Sequence, residues 1–314
     1  MLPDCLSNEG RKLSREGFRR TLRGKGPVSL KTHPSKKRGG EILQVAKSPV
    51  VTMAPTTPVY DAIQIMAREG FRRMPIANPG TKALVGIVTA TDIINYLGGG
   101  EKFRIIQQKY GGNFFKAINE PIKLLMTQKV VSVKTSAKIS EAMRLMKKHN
   151  LGGLPVVDGG NHVRAIITER DIMNIFSERI SGVKVAELMS RKVVTALTTT
   201  TIFEAEKTMT KRGFRRLPIV SENKVVGIIT VMDILRFFGS GQVFKHLRSG
   251  TIMQVLNTHI LEIATKEVTT IEPGADVGQA ARTMQEKGIG ALPVVEDEKL
   301  VGIITERDFF KIID

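Results

Sequence analysis

The stretch Leu154–Asp171 reads LPVVDGGNHVRAIITERD, and its main features return at Leu292–Asp308 as LPVVEDEKLVGIITERD. In both copies a Leu-Pro-Val-Val run and a second β-branched run flank a short polar segment. Such runs separated by turn residues predict the two strands of a hairpin. Each copy ends in Thr-Glu-Arg-Asp, a helix-start pattern in which Thr caps a helix whose third residue is Asp. The stretch therefore predicts a strand-turn-strand-helix unit.

Four segments of the chain share one register around this unit. In each, a Thr or Ser closes an apolar run, an Ala follows ten residues later, a Met four after that, and a Pro nine further on. A Thr-x-x-Asp follows each Pro. The four sets are Thr52/Ala62/Met66/Pro75 with Thr89–Asp92, Ser132/Ala142/Met146/Pro155 with Thr168–Asp171, Thr195/Ala205/Met209/Pro218 with Thr230–Asp233, and Thr270/Ala280/Met284/Pro293 with Thr305–Asp308. Recurrence of this length identifies four structural repeats.

The repeats are of two kinds that alternate along the chain. Repeats 1 and 3 share Gly-Phe-Arg-Arg, at Gly70–Arg73 and Gly213–Arg216, whereas repeats 2 and 4 share the Leu-Pro-Val-Val and Thr-Glu-Arg-Asp motifs. The order is therefore A-B-A-B, which indicates tandem duplication of a two-repeat unit.

Repeat 2 illustrates the predicted local structure. A short strand is expected at Val130–Ser132, like those at Val50–Thr52 and Val193–Thr195, because these runs are β-branched and precede turn residues. An amphipathic helix follows, with Ile139, Ala142, Met143 and Met146 on one face and Gly152-Gly153 closing it. Strands are then predicted at Leu154–Val157 and Arg164–Thr168, and a last helix from Thr168 buries Ile172, Ile175 and Phe176. The unit is β-α-β-β-α in an α/β (α+β) fold, and at about 55 residues it needs to pair with a neighbour.

Composition limits the kind of protein. The 314 residues include 48 Lys and Arg against 30 Asp and Glu, a formal net charge of +18, and 41% are hydrophobic. This length predicts about two domains of about 150 residues each. The single cysteine, Cys5, excludes a disulfide framework and a multi-thiolate metal site. With no run of 18 apolar residues and no secretory apolar core, we predict no membrane span and a cytoplasmic location.

The charge is concentrated at the N-terminus. Residues 1–44 contain eleven basic and four acidic residues, together with several Gly and Pro. The segment is predicted to be a disordered arm. Such an arm suits RNA, DNA or an acidic partner, and it equally suits a solvated tail.

The Thr-x-x-Asp motifs and the arginine pairs are the candidate site. Helix capping alone would explain each motif, but a helix N-terminus also suits an anion, and an Asp carboxylate can accept from both ribose hydroxyls. Arg72-Arg73 and Arg215-Arg216 lie at equivalent loops, where guanidinium forks suit phosphate oxygens, although a solvated loop is the alternative. Arg170 and Arg307 could serve likewise unless Glu169 and Glu306 neutralise them.

At this point the repeats resemble CBS domains, β-α-β-β-α modules that associate in pairs as Bateman modules. The family's G-x-x-T-x-x-D pattern stands at Gly86–Asp92, Gly227–Asp233 and Gly302–Asp308, while Ala165 replaces the glycine in repeat 2; we interpret this loss as affecting a turn rather than a ligand. The resemblance divides the chain into an arm over residues 1–43, CBS domains over 44–98, 121–178, 183–239 and 258–314, and connectors over 99–120 and 240–257. Four such domains in this order are similar to archaeal CBS-domain proteins and to the γ subunit of AMP-activated protein kinase, in which two modules form a disk with phosphates at its centre.

The resemblance implies ligands and ligand residues. The family's clefts bind AMP, ADP, ATP or S-adenosylmethionine, and the arginine pairs favour phosphorylated nucleotides over the last. By position, the ribose carboxylates would be Asp92, Asp171, Asp233 and Asp308, the hydroxyls near phosphate Thr89, Thr168, Thr230 and Thr305, the residues near the base Thr52, Ser132, Thr195 and Thr270, and the arginines at the centre Arg72, Arg73, Arg215 and Arg216.

These observations favour a non-enzymatic sensor of adenine nucleotides that signals to an unidentified protein partner, with a homodimer as a further expectation. Cys5 has no positioned base, the five histidines lack metal-ligand spacing, and no Walker motif occurs. The alternative is a nucleic-acid-associated regulator that uses residues 1–44. The connectors, with Phe103, Ile105, Ile106, Tyr110, Phe114 and Phe115, either present a partner surface or form packed crossover helices, the latter being favoured.

Overall fold

The computed structural model describes residues 41–177 and 182–312. The α-helices are α1 Glu41–Val45, α2 Val59–Glu69, α3 Ala90–Ile94, α4 Phe103–Tyr110, α5 Phe114–Ile118, α6 Ile139–His149, α7 Glu169–Phe176, α8 Val185–Leu188, α9 Ile202–Arg212, α10 Val231–Gly239, α11 Ile252–Leu256 and α12 Val277–Glu286. A π-helix, Asn95–Gly99, continues α3, and short 3-10 helices cover Ile122–Leu124, Gly241–His246, Ile260–Glu262 and Asp308–Lys311. Within the described ranges, no helix combines the length and apolar character needed to cross a membrane.

Each repeat contains one antiparallel hairpin. The strands are β1 Arg73–Ala77, β2 Leu84–Thr89, β3 Val133–Lys134, β4 Gly153–Val157, β5 Val163–Thr168, β6 Ala196–Leu197, β7 Arg216–Ser221, β8 Lys224–Thr230, β9 Ala291–Glu296 and β10 Lys299–Thr305. The hairpins β1-β2, β4-β5, β7-β8 and β9-β10 are the pairs that the repeat register predicts. The α/β (α+β) fold of four repeats is confirmed.

The first strand of each repeat lies slightly later than the sequence predicts. Parallel pairing begins at Met53, at β3, at β6 and at Ile271, in each case just beyond the predicted runs. The predicted run in repeat 1 is apolar for another reason. Val50 packs with Leu84 and with Val157 and Val163 of repeat 2, so its burial stabilises the contact between repeats.

Two further boundaries differ from expectation. Helix α6 ends at His149, and the next residue, Asn150, caps it in a left-handed conformation at φ 55°. An Asn therefore performs the capping expected of Gly152. The arm predicted over residues 1–43 overlaps helix α1, which begins at Glu41. The fully buried Ile42 of α1 packs in the core of repeats 2 and 4, so the arm must end before Glu41. Residues 1–40, which hold the rest of the arm, lie outside the described residues, as does the side chain of Phe176.

Paired repeats exchange their leading segments. Lys47, ahead of repeat 1, pairs with Ile166 of repeat 2, and Thr127, ahead of repeat 2, pairs with Ile87 of repeat 1. Repeats 3 and 4 show the same exchange, through the pairs Ser190 with Ile303 and Thr265 with Ile228. These β-bridges at the sheet edges therefore join repeat 1 to repeat 2 and repeat 3 to repeat 4, which defines module 1 and module 2.

This exchange explains two of the three glycines of G-x-x-T-x-x-D, whereas a Cβ at Gly227 would meet nothing closer than 3.3 Å. A Cβ at Gly86 would lie 2.6 Å from Met126 Sδ, and one at Gly302 would lie 2.5 Å from Met189 Sδ, in the crossing segments. In repeat 2 the crossing segment carries Ala46, which is buried in the same core as Ala165. The interpretation of Ala165 as a loss in a turn is wrong: the position is within a strand, and a small crossing residue makes room for its methyl group.

Helices join the two modules. Helices and connectors of repeats 1 and 3 share one apolar core, and those of repeats 2 and 4 share another. The connectors form packed crossover helices, which is the alternative that the sequence favours. Phe103, Ile106 and Phe114 are buried, whereas Phe115 is half-exposed and stacks on Phe244. Four repeats joined alternately by sheets and helices form a disk with one repeat in each quadrant.

Candidate functional site

In repeats 1, 2 and 3 the Thr-x-x-Asp motif caps the helix that follows it. In repeat 4 the helix predicted from Thr305 is instead a short 3-10 helix that begins at Asp308 and has no side-chain cap. The Asp Oδ2 accepts hydrogen bonds from the backbone N and the Oγ1 of the Thr at 2.8 and 2.6 Å in repeat 1, 2.9 and 2.6 Å in repeat 2, 2.8 and 2.7 Å in repeat 3, and 2.8 and 2.8 Å in repeat 4. These hydrogen bonds therefore occupy one carboxylate oxygen, Oδ2, of Asp92, Asp171, Asp233 and Asp308. Any contact with a ligand must come from the other oxygen, Oδ1.

The surroundings of Oδ1 differ between the modules. In module 2, Arg236 Nη1 lies 2.7 Å from Asp233 Oδ1, and Lys311 Nζ lies 2.7 Å from Asp308 Oδ1. Repeats 1 and 2 have Asn95 and Asn174 at the positions equivalent to Arg236 and Lys311.

Consequently the Oδ1 atoms of Asp92 and Asp171 in module 1 are less strongly ion-paired than those of module 2. Lys47 Nζ is 3.9 Å from Asp171 Oδ1, and among the described residues Asp92 Oδ1 has no ion pair. Burial raises the pKa of Asp171, although Thr168 and Lys47 act in the opposite direction.

A cavity of about 590 Å³ connects parts of all four repeats at the disk centre. Of the predicted site residues, it is bordered by Thr168, Thr230, Asp233, Arg72, Arg73, Arg215 and Arg216. Arg170 and Glu306, of the two Thr-Glu-Arg-Asp motifs, border it too. Residues that the sequence did not single out as site residues also border it: Lys47, Pro49–Val51, Ile166, Ile228, Arg236, Thr265, Glu267–Thr269 and Gly288–Ala291 among them. Several of these residues could have been found from the sequence, because they lie just before the Thr that closes the first apolar run of their repeat.

The other predicted residues lie away from this cavity. Thr89, Asp92, Asp171, Thr305 and Asp308 do not border it, nor do Thr52, Ser132, Thr195 and Thr270. Thr52 is buried, Ser132 is half-buried, and Thr195 and Thr270 are exposed. Val51 and Thr269, the residues immediately before Thr52 and Thr270, face the cavity instead.

Two buried glutamates hold four arginines at the centre. Glu306 accepts from Arg72 Nη1 at 2.8 Å and from Arg170 Nε at 2.6 Å. Each glutamate side chain is 2% exposed. Burial opposes ionisation of Glu306, but Arg72 and Arg170 outweigh it and lower its pKa to about 2.

Glu169 forms the matching cluster. It accepts from Arg215 Nη2 at 2.9 Å and from Arg307 Nε at 2.6 Å. Burial opposes its ionisation too, and Arg215 and Arg307 lower its pKa. Glu169 and Glu306 do pair with the arginines of the Thr-Glu-Arg-Asp motifs, but each glutamate pairs with the arginine of the other motif and not with its own neighbour.

Arg73 and Arg216 are the remaining central arginines, and neither forms an ion pair with a described residue. Arg216 Nη1 donates to the carbonyl of Gly290 at 2.5 Å, and the Arg73 guanidinium lies against Gly152 and Gly153. Burial, followed by repulsion from Arg215, lowers the pKa of Arg73 to about 10 and that of Arg216 to about 9. Both therefore carry their charge at neutral pH, and an anion in the cavity would stabilise it.

No group of three or more His, Cys, Asp and Glu side chains in the described ranges is arranged to hold a metal ion. The sequence profile of the CBS domain matches residues 41–99, 122–178, 185–240 and 260–314. The chain belongs to the CBS-domain family. As a member of this family it is a regulatory protein.

Similar CBS-domain proteins come from archaea. The uncharacterised protein MJ1225 of Methanocaldococcus jannaschii is 36% identical over 273 residues, which are 86% of this chain and 98% of that protein. Its crystal structure, described as that of a candidate archaeal homologue of γ-AMPK, matches with a TM-score of 0.84 and 35% identity over 87% of this chain and 100% of that chain. An uncharacterised 33.4 kDa protein of Thermofilum pendens is 32% identical over 85% of this chain and 89% of that protein.

An enzyme also shares CBS-domain sequence with this chain. Inosine-5'-monophosphate dehydrogenase of Aquifex aeolicus is 37% identical over 108 residues, but these are 34% of this chain and 22% of that enzyme. Such a partial match gives no ground for assigning the enzyme's catalytic activity to this protein. The absence of enzymatic activity stays a prediction.

Proposed function

We propose that this CBS-domain protein binds adenine nucleotides, AMP, ADP or ATP, in clefts between paired repeats and signals to a protein partner through the contacts between its modules. The observation that carries the proposal is the central cavity, in which Arg73 and Arg216 have no carboxylate partner among the described residues. A buried guanidinium without a counter-ion is costly, and a phosphate group would supply both charge and paired acceptors.

The chemistry of the cavity suits each part of a nucleotide. Val50, Val51 and Ile166 offer an apolar wall next to Thr168 in module 1, and Val268 and Ile228 offer one next to Thr230 in module 2. A purine fits between such walls, while the Oδ1 of the capping Asp suits a ribose hydroxyl. In this proposal Asp92, Asp171, Asp233 and Asp308 hold ribose, Thr89, Thr168, Thr230 and Thr305 lie near phosphate, and Thr52, Ser132, Thr195 and Thr270 lie near the base.

The signal would arise at the centre. Arg72 and Arg215 contact glutamates of the opposite module, so any anion that attracts these arginines changes the contacts between modules. A partner that prefers one arrangement then alters nucleotide affinity reciprocally, by a coupling of about 1–3 kcal/mol.

Titration calorimetry with AMP, ADP, ATP and S-adenosylmethionine tests this proposal. We expect the phosphorylated ligands to bind and S-adenosylmethionine, which has no phosphate, to bind more weakly. The double variant Arg73→Gln/Arg216→Gln should lose at least about tenfold in nucleotide affinity, because both guanidinium groups face the cavity. Arg212→Gln, an exposed change at the end of α9, is the matched control.

Failure of every ligand to bind below about millimolar contradicts the proposal. So does unchanged binding after replacement of all four capping aspartates by Ala. Nucleic-acid binding by the basic residues 1–44, of which 1–40 lie outside the described residues, stays the alternative. Removal of residues 1–44 should then abolish salt-sensitive nucleic-acid binding.

A further inference from the structure

The A and B repeats fit together at the centre through complementary residues. Three positions before the Pro that recurs in every repeat, repeats 1 and 3 carry Arg72 and Arg215, whereas repeats 2 and 4 carry Gly152 and Gly290. A Cβ at Gly290 would lie 2.8 Å from the Glu306 carboxylate, and one at Gly152 would lie 2.9 Å from Glu169 Oε2 and 2.8 Å from nitrogens of Arg73 and Arg215. The glycines thus leave the space that the two glutamates and, beside Gly152, two arginines fill.

The two carboxylates use all four of their oxygens on arginines. Glu306 holds one arginine from repeat 1 and one from repeat 2, and Glu169 holds one from repeat 3 and one from repeat 4. Within the described residues, six arginines and two glutamates therefore meet at the centre, an excess of four positive charges.

The other charged groups that border the cavity contribute less to the electrostatic field at its centre. Lys47, Glu69 and Glu267 are exposed, so solvent screens them. Asp233 is paired within its own repeat with Arg236. The charge that a ligand meets at the centre is therefore set mainly by the arginines and by Glu169 and Glu306.

The number of phosphoryl groups decides how a ligand meets the two carboxylates. A phosphate monoester carries about two negative charges at neutral pH, and one triphosphate carries about as many as two monophosphates, so total charge does not separate the ligands. The difference lies in how many phosphoryl groups one ligand brings close to Glu169 and Glu306. Each additional phosphoryl group would have to share arginines whose donors already contact a carboxylate, and would lie close to that carboxylate's negative charge.

We propose that Glu169 and Glu306 are specificity-determining residues that act as resident anions, so that the centre favours nucleoside monophosphates over triphosphates. This inference rests on the proposed nucleotide binding. It assigns to the two glutamates a role in ligand choice in addition to their role in joining the modules.

The test is the double variant Glu169→Gln/Glu306→Gln, which preserves side-chain size and removes both negative charges. Calorimetry with AMP and ATP, at one ionic strength and without divalent cations, gives the ratio of the two dissociation constants. We expect the preference for AMP over ATP to fall by at least about tenfold, because the excess rises from four charges to six. Inorganic phosphate and tripolyphosphate, used as competitors of bound nucleotide, should show the same change.

Two control variants separate charge from general damage. Glu169→Asp/Glu306→Asp keeps both charges and should retain the preference for AMP. Glu298→Gln removes an exposed glutamate that pairs with Lys224 at the disk surface, and it should leave the ratio unchanged.

The outcomes distinguish this inference from the proposed function. If the unmodified protein binds no nucleotide, the proposed function fails. If it binds and the double Gln variant keeps the same AMP-to-ATP ratio, the role of the glutamates is overturned while nucleotide binding stands. Should the double variant not fold, the single variants Glu169→Gln and Glu306→Gln each retain one carboxylate, and an unchanged ratio in both would equally overturn the inference.

Discussion

Arg72 of repeat 1 donates a hydrogen bond to Glu306 of repeat 4, with Nη1 and Oε2 2.8 Å apart across 234 positions of the chain. The carboxylate is 2% exposed and the arginine 26%, so the pair is largely removed from water. Arg215 and Glu169 form the equivalent contact from repeat 3 to repeat 2. These two pairs link diagonally opposite quadrants of the disk, which neither the sheets nor the helices join.

The first prediction concerns the strength of this diagonal contact. Arg72→Gln should lower the free energy of unfolding by about 3 kcal/mol, because it removes one partner of a buried ion pair. Urea unfolding measures the change, and a double-mutant cycle with Glu306→Gln isolates the interaction. The exposed pair Lys224 and Glu298 also joins repeats 3 and 4, and Lys224→Gln is the control, with no measurable effect expected. Equal effects of the two changes would contradict a special role of the buried pair.

The second prediction concerns acid. Because the pKa of Glu306 falls from its ordinary 4.5 to about 2 on folding, its contribution to stability is fully present above about 4.5 and is lost as pH falls through about 2. That contribution is about 3 kcal/mol. The free energy of unfolding, measured by urea at pH 7 and near pH 2.5, should depend less on pH in Glu306→Gln. The exposed change Glu286→Gln should leave the dependence as it is.

The third prediction concerns a carboxyl buried between the modules. Glu206 of α9 is fully buried, and within the described residues neither of its oxygens has a hydrogen-bond partner. It faces Gly98, whose added Cβ would lie 2.5 Å from Glu206 Oε2. At the equivalent crossing, Ile63 of α2 faces Gly239. One crossing is apolar, and the other carries a buried carboxyl.

Glu206→Ile should therefore raise the free energy of unfolding at neutral pH by about 1–3 kcal/mol. Burial raises the pKa of Glu206, so stability should fall as pH rises above the ordinary 4.5 of a glutamate, through its raised value in the folded protein. Glu206→Gln keeps the shape and should remove this fall. A pH profile unchanged by Glu206→Gln would show that the carboxyl does not titrate as described.

The fourth prediction concerns the exchanged segments. Gly302→Ala should destabilise the protein by about 1–3 kcal/mol, because its Cβ would overlap Met189, whose side chain is buried. Met189→Ala in the same chain should recover part of that loss, since repeat 2 already combines Ala165 with Ala46. Thermal unfolding of the two single variants and the double variant measures the recovery. Additive losses would contradict the steric explanation.

The sequence by itself determined the features that depend on nearby residues. The four-repeat register, the hairpins and the Thr-x-x-Asp capping boxes involve hydrogen bonds and packing over a few positions, so their patterns are visible in one dimension. The helix of repeat 2 was predicted for the same reason, from the spacing of Ala142, Met143 and Met146.

The tertiary structure alone decided which central charges are free. In sequence Arg72, Arg73, Arg215 and Arg216 are equivalent. Yet Arg72 and Arg215 meet buried carboxylates, while Arg73 and Arg216 meet none in the part of the chain that the structure describes. That difference depends on partners 46 and 234 positions away, brought together by the packing of four repeats. Local patterns record which residues can pair, but the choice between equivalent partners is made by the distances and burial that only the assembled disk provides.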